Sequence, residues 1–73
     1  MNSLDYQEGG KHYLGFAIQP VEFILANGLD YLQGNIIKYL CRYKFKGGLS
    51  DLRKARQYLD ILIEREESIS EGL

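Results

Sequence analysis

The sequence predicts an all-α fold. A small three-helix domain (residues 18–67) follows an extended N-terminal arm (1–17), precedes an acidic tail expected to fray (68–73), and assembles as a homo-oligomer. Three observations lead there. Apolar side chains recur at helical spacing in three stretches. Asn27-Gly28 and Gly47-Gly48 separate those stretches. The chain has only 73 residues and one cysteine, Cys41, so it can form no intrachain disulfide. His12 and Cys41 are its only soft ligands, too few for a zinc site. A core this small is marginal alone, and oligomerisation is the remaining support.

Taken in order, residues 1–17 show no sustained period, and Gly9, Gly10 and Gly15 loosen the backbone. The first helix should begin at Pro20, whose fixed φ and missing N–H suit a first helical position. It should end at Asn27-Gly28, a left-handed cap. The second starts at Asp30, where Gln33 three residues on completes a capping-box variant. Gly34 in its first turn implies close packing of the first helix or close approach of a ligand. Its pattern continues to Lys46 and is apolar on nearly every side, which places it at the centre of the fold or of an assembly. Gly47-Gly48 stops it. Ser50 is the expected N-cap of the third helix, whose seam is Leu52, Ala55, Leu59 and Leu62 and which should run to about Glu67. Arg56 and Asp60 are placed for an i,i+4 pair.

Net charge is −1, which argues against a general binder of long nucleic acid. Seven of the nine Lys and Arg nevertheless lie between positions 38 and 56, opposed there only by Asp51. Beyond Arg56 the chain turns acidic. A local positive centre on a nearly neutral chain suits a compact anion. No run approaches a membrane span and the N-terminus lacks a signal pattern, so a cytoplasmic protein without a membrane partner is expected.

On the second helix Asn35, Lys38, Arg42 and Lys46 fall on one polar stripe flanked by Tyr31 and Tyr39. On the third, Asp51, Lys54 and Tyr58 share a face. Phenol rings beside cations can stack a nucleobase while Lys and Arg hold phosphates. The bland alternatives are a solvated basic face, a helix-end cation at Lys46 and a helix-start anion at Asp51. The Lys46-Gly47-Gly48 junction is not a P-loop: GxxxxGK[ST] is absent and the lysine precedes the glycines. No metal cluster or nucleophile set stands out. Asp51 is the only obvious ligand for a Mg²⁺ that a bound nucleotide would bring, and no resident cofactor is expected. His12, taken alone, is a surface or partly packed histidine.

The residues His12-Tyr13, Ile18-Gln19-Pro20 with Glu22, Gly34-Asn35, Ile37-Lys38-Tyr39, Arg42-Tyr43-Lys44, Lys46, Gly48, Asp51-Leu52, Lys54-Ala55, Tyr58-Leu59 and Leu62-Ile63 form a pattern. Across about residues 12–63 the chain resembles a phage family, the SaV-like domain of unknown function. That family includes a homo-oligomeric nucleoside monophosphate kinase of short-tailed coliphages that lacks a P-loop. The resemblance implies an infected-cell setting and brings His12 and Tyr13 into the candidate site.

The functional expectation is a nucleotide-binding protein. Its site, at a subunit boundary, comprises His12, Tyr13, Asn35, Lys38, Tyr39, Arg42, Lys46, Asp51, Lys54 and Tyr58. The ligand is a nucleotide or cyclic nucleotide signal, which the protein could sequester. A nucleoside monophosphate kinase is the alternative, and a helical protein-interaction module the weaker one. On this reading Arg42→Ala should weaken binding and leave the fold intact.

Overall fold

A computed structural model describes residues 15–72. Three helices follow in order: α1 (Pro20–Ala26), α2 (Tyr31–Arg42) and α3 (Gly48–Glu71). The all-α expectation holds. The expected arm, including His12 and Tyr13, lies outside the described residues apart from its last three positions.

Local chemistry sets the first two helix starts where the sequence places them. Pro20 opens α1, and Asn27 and Gly28 close it, with Gly28 at φ +62°. Asp30 caps α2: its carboxylate accepts the Gln33 N–H at 2.9 Å, while the Asp30 N–H donates to the Gln33 side-chain oxygen at 3.1 Å. The capping box is complete. Arg65, far along α3, also reaches the Asp30 carboxylate at 3.3 Å.

The α2–α3 connection departs from the sequence reading in two ways. Helix α2 ends at Arg42, not Lys46, and residues 43–47 form a turn. Phe45 and Lys46 both donate their N–H to the Arg42 carbonyl, and Gly48 donates to the Tyr43 carbonyl at 2.8 Å. Gly48 sits at φ +54°, a left-handed conformation that reverses the chain and suits glycine. Helix α3 then begins at Gly48, so Ser50 lies inside its first turn and is not the cap. Asp51 supplies the missing acceptor, taking the Gly47 N–H at 3.0 Å. At its other end α3 runs past Glu67 to Glu71.

Helices α2 and α3 are antiparallel, since the end of α2 meets the start of α3 through Arg42 and Asp51 and its start meets Arg65. With about 1.5 Å of rise per residue, α3 is about twice as long as α2 and overhangs it. Helix α1 packs on α2 and not on α3. Gly34 is a point of close approach: a Cβ there would stand 3.2 Å from the Ile24 Cγ2. That settles its role as helix packing. Overpacking typically costs about 1–3 kcal/mol, so Gly34→Leu should lower the melting temperature by several degrees, read by circular dichroism. An unchanged or raised melt would contradict the close α1–α2 contact.

The core is thin. Among the described residues only Pro20, Asp51 and Ala55 are buried. The apolar circumference expected to bury α2 is not closed within one chain: none of its residues is buried and Leu40 is exposed. Val21, Phe23, Leu25, Phe45, Leu49 and Ile63 are exposed as well. Among the described residues the expected Arg56–Asp60 pair does not close. No described helix is long and apolar enough to cross a membrane.

Candidate functional site

The polar stripe of α2 and the Asp51–Lys54–Tyr58 face of α3 meet along one side of the helical hairpin. Asp51 is at its inner end. It is 1% exposed, and its carboxylate is held from two directions. The Arg42 Nε donates to one oxygen at 2.9 Å and the Arg42 Nη2 to the other at 3.2 Å. The Gly47 N–H donates to the first oxygen as well. A forked pair of this kind matches guanidinium to carboxylate geometry. The Arg42 hydrogen bond holds the Asp51 carboxyl below the usual 3.8 against the opposing effect of burial. Gly47 is glycine for want of room, because a Cβ there would fall within the Asp51 carboxylate. Charge pattern alone did not single out Gly47, and only the turn geometry reveals its role.

Outward from this pair lies an aromatic cluster. The Tyr39 and Tyr58 rings stack, 6.0 Å between centroids and 10° between planes. Tyr31 meets Tyr58 edge-on at 6.0 Å. The hydrogen bond between Tyr31 and Tyr58 pushes the Tyr58 phenol above its usual 10.0, so Tyr58 stays neutral at physiological pH. Three cations gather on the Tyr39 ring: Lys38 Nζ at 4.8 Å, Arg42 Cζ at 4.9 Å and Lys54 Nζ at 5.4 Å from its centroid. Electron-rich aromatic faces attract cations in this way.

The candidates fall into three groups. Lys38, Tyr39, Arg42, Asp51, Lys54 and Tyr58 converge, as their helical spacing predicts. Tyr31, which flanks the stripe in the sequence, joins them as well; its seven-residue offset from Lys38 is the available signal. Asn35 is on the same side but donates its side-chain N–H to the Tyr31 carbonyl at 2.8 Å, so its amide is partly used by its own helix. Lys46 leaves the stripe because α2 stops short of it and the turn carries it. His12 and Tyr13 lie outside the described residues.

The two kinds of cation here differ. Arg42 is committed to a buried carboxylate, with its side chain 17% exposed. Lys38 and Lys54 form no salt bridge among the described residues; both stand over the Tyr39 ring, and the Lys54 charge adds to the lowering of the Asp51 carboxyl pKa. Asp51 has both oxygens occupied, so it is no open metal ligand in this arrangement. Among the described residues no three His, Cys, Asp or Glu side chains gather as a metal site. The arrangement presents two ammonium groups over a phenol surface, backed by a fixed ion pair. Such a surface can hold an anion that also carries a flat ring.

Neither the curated proteins nor the solved structures contain a match to the chain. The model of one family does match it, over residues 7–60, a stretch that holds α1, α2, the first half of α3 and every residue of the converged site. The chain therefore belongs to that family, described as a protein of unknown function (DUF3310).

Proposed function

We propose that this chain is a phage nucleotide-binding protein that holds the phosphate groups of a nucleotide, or of a cyclic nucleotide signal, on the Lys38–Tyr39–Lys54–Tyr58 face and sequesters it in the infected cell. One observation carries the reading: Lys38 and Lys54 reach the same aromatic ring from two helices, and neither forms a salt bridge among the described residues. Two ammonium groups supply charge for a phosphate, and the tyrosine surface beside them suits a base. The resemblance to a phage family with a nucleotide-handling member points the same way.

The nucleotide site is completed by a second subunit. Enclosing a ligand takes a pocket of roughly 300–1,000 Å³, more than an open helical face offers, and the many exposed apolar side chains favour assembly. The kinase alternative draws on the same resemblance. Phosphoryl transfer relies on positioning and on neutralising phosphate charge, commonly through Mg²⁺. Here the one acidic residue at the site is bound to Arg42 and the Gly47 N–H, so binding without turnover is the reading preferred.

The test has two arms. In the first, the protein is mixed with nucleoside monophosphates and cyclic nucleotides, filtered free of unbound ligand and heated. Recovery of an intact nucleotide in stoichiometric amount is expected. In the second, nucleoside monophosphates, ATP and Mg²⁺ are incubated with the protein and the products separated by chromatography. Multiple turnovers to di- or triphosphate would replace sequestration by the kinase reading. No retained nucleotide and no product would remove both.

A further inference from the structure

Helix α3 carries a second surface, on the side away from Lys54 and Tyr58. At about 100° per residue, Leu49, Leu52, Arg53, Arg56, Leu59, Asp60 and Ile63 fall within one stripe about 120° wide, and Glu67 continues it. No described helix covers it, because α1 packs on α2 alone. Leu49 is 59% and Ile63 46% exposed. The stripe holds two grooves at opposite ends of the helix. Leu49, Leu52, Arg53 and Arg56 line the first. Leu59, Leu62, Ile63, Glu66, Glu67 and Glu71 contribute to the second. Each pairs an apolar floor with charge of one sign, and the signs are opposite. Arg53, Arg56, Glu64 and Glu67 form no ion pair among the described residues.

We infer that this stripe is a contact between two copies of the chain, with their α3 helices packed antiparallel about a two-fold axis. Charge determines both the partner and the sense. A two-fold contact requires a patch complementary to itself. In the antiparallel sense the basic first half of α3 faces the acidic second half of its mate, twice over. A parallel pair would set like charge against like. Leu52, Leu59 and Ile63 form the apolar edge of the contact and the charges its other edge, the division of labour found between paired helices in coiled coils, with Asp60 of the two copies nearest the axis. The contact lies on the opposite side of α3 from the lysine–tyrosine face and does not depend on the proposed ligand.

The experiment uses the full 73-residue chain without nucleotide. Sedimentation equilibrium over micromolar concentrations should show association that weakens with added salt. The double variant Arg53→Glu/Arg56→Glu should associate at least tenfold more weakly, or drop to a smaller assembly, with its helical circular dichroism retained. Adding Glu64→Arg/Glu67→Arg to that variant should restore association, since both halves then exchange sign. Ile63→Glu should weaken association as well, and if it fails to fold the charge series still decides. Association unchanged by the arginine reversals would overturn the inference. So would a monomeric wild type, which would assign the stripe to residues 1–14 of the same chain or to a foreign helix. Nucleotide retention, measured separately, distinguishes failure here from failure of the binding reading.

Discussion

Arg42→Ala is expected to unfold the hairpin before it tests any ligand. The substitution strips both guanidinium hydrogen bonds from a carboxylate that is 1% exposed in the intact fold and leaves it the Gly47 N–H. Removing one member of a buried ion pair is strongly destabilising because the remaining charge has neither water nor counter-ion. For a domain this small the melting temperature should fall by about 10 °C or more. Circular dichroism melts read the effect, and the paired variant Arg42→Met/Asp51→Leu should recover much of the loss because no charge then remains buried. A melt of Arg42→Ala within 2–3 °C of wild type, a surface-like effect, would mean that the pair is not structural.

The same pair sets a pH dependence. The Asp51 carboxyl is held below the usual 3.8 in the fold, chiefly by Arg42. A group whose folded pKa is depressed contributes stability above its unfolded value and loses it as pH falls through the folded one. The melting temperature should therefore be flat with respect to this group near neutrality and decline below about pH 4. The acid limb should shrink in the Arg42→Met/Asp51→Leu variant.

The second large effect belongs to the lysines. Lys38→Ala and Lys54→Ala should each weaken nucleotide retention by about 10- to 100-fold, the equivalent of one charged hydrogen bond at roughly 1.5–3 kcal/mol. Both should melt close to wild type, because each gives up a cation–π contact worth about 0.5–1 kcal/mol at an exposed site, and Lys54 in addition only a minor share of the charge that faces Asp51. Calorimetric titration beside a thermal melt separates binding from stability. Undiminished affinity in both variants would displace the proposed ligand from this face. The contrast with Arg42 is the informative part: three cations share one ring, yet only the two lysines are expected to report on a ligand alone.

Local rules in the sequence determined the helices and most of the candidate face. Pro20, Asn27-Gly28 and the Asp30–Gln33 box act within one turn of the chain, so their effects are legible from neighbours alone. Helical spacing likewise put Lys38, Tyr39 and Arg42 on one side of α2, and Asp51, Lys54 and Tyr58 on one side of α3. At Gly34 the sequence is compatible with packing or with a ligand, and the nearness of Ile24 decides for packing. Only the tertiary structure decided what the cations do. Arg42 and Asp51 are nine residues apart on different helices, and their meeting depends on the turn at residues 43–47. Periodicity gives one weak sign of where that turn begins, Lys44 on the apolar arc of α2, which a lysine snorkelling at a helix end explains equally well, and Phe45 and Lys46 fit a helix as well as they fit a turn. The Asp51 carboxylate captures the Gly47 N–H and Arg42 together. That capture ends α2 early, starts α3 early and takes Lys46 off the stripe, leaving Lys38 and Lys54 as the two cations over the Tyr39 ring that form no salt bridge among the described residues.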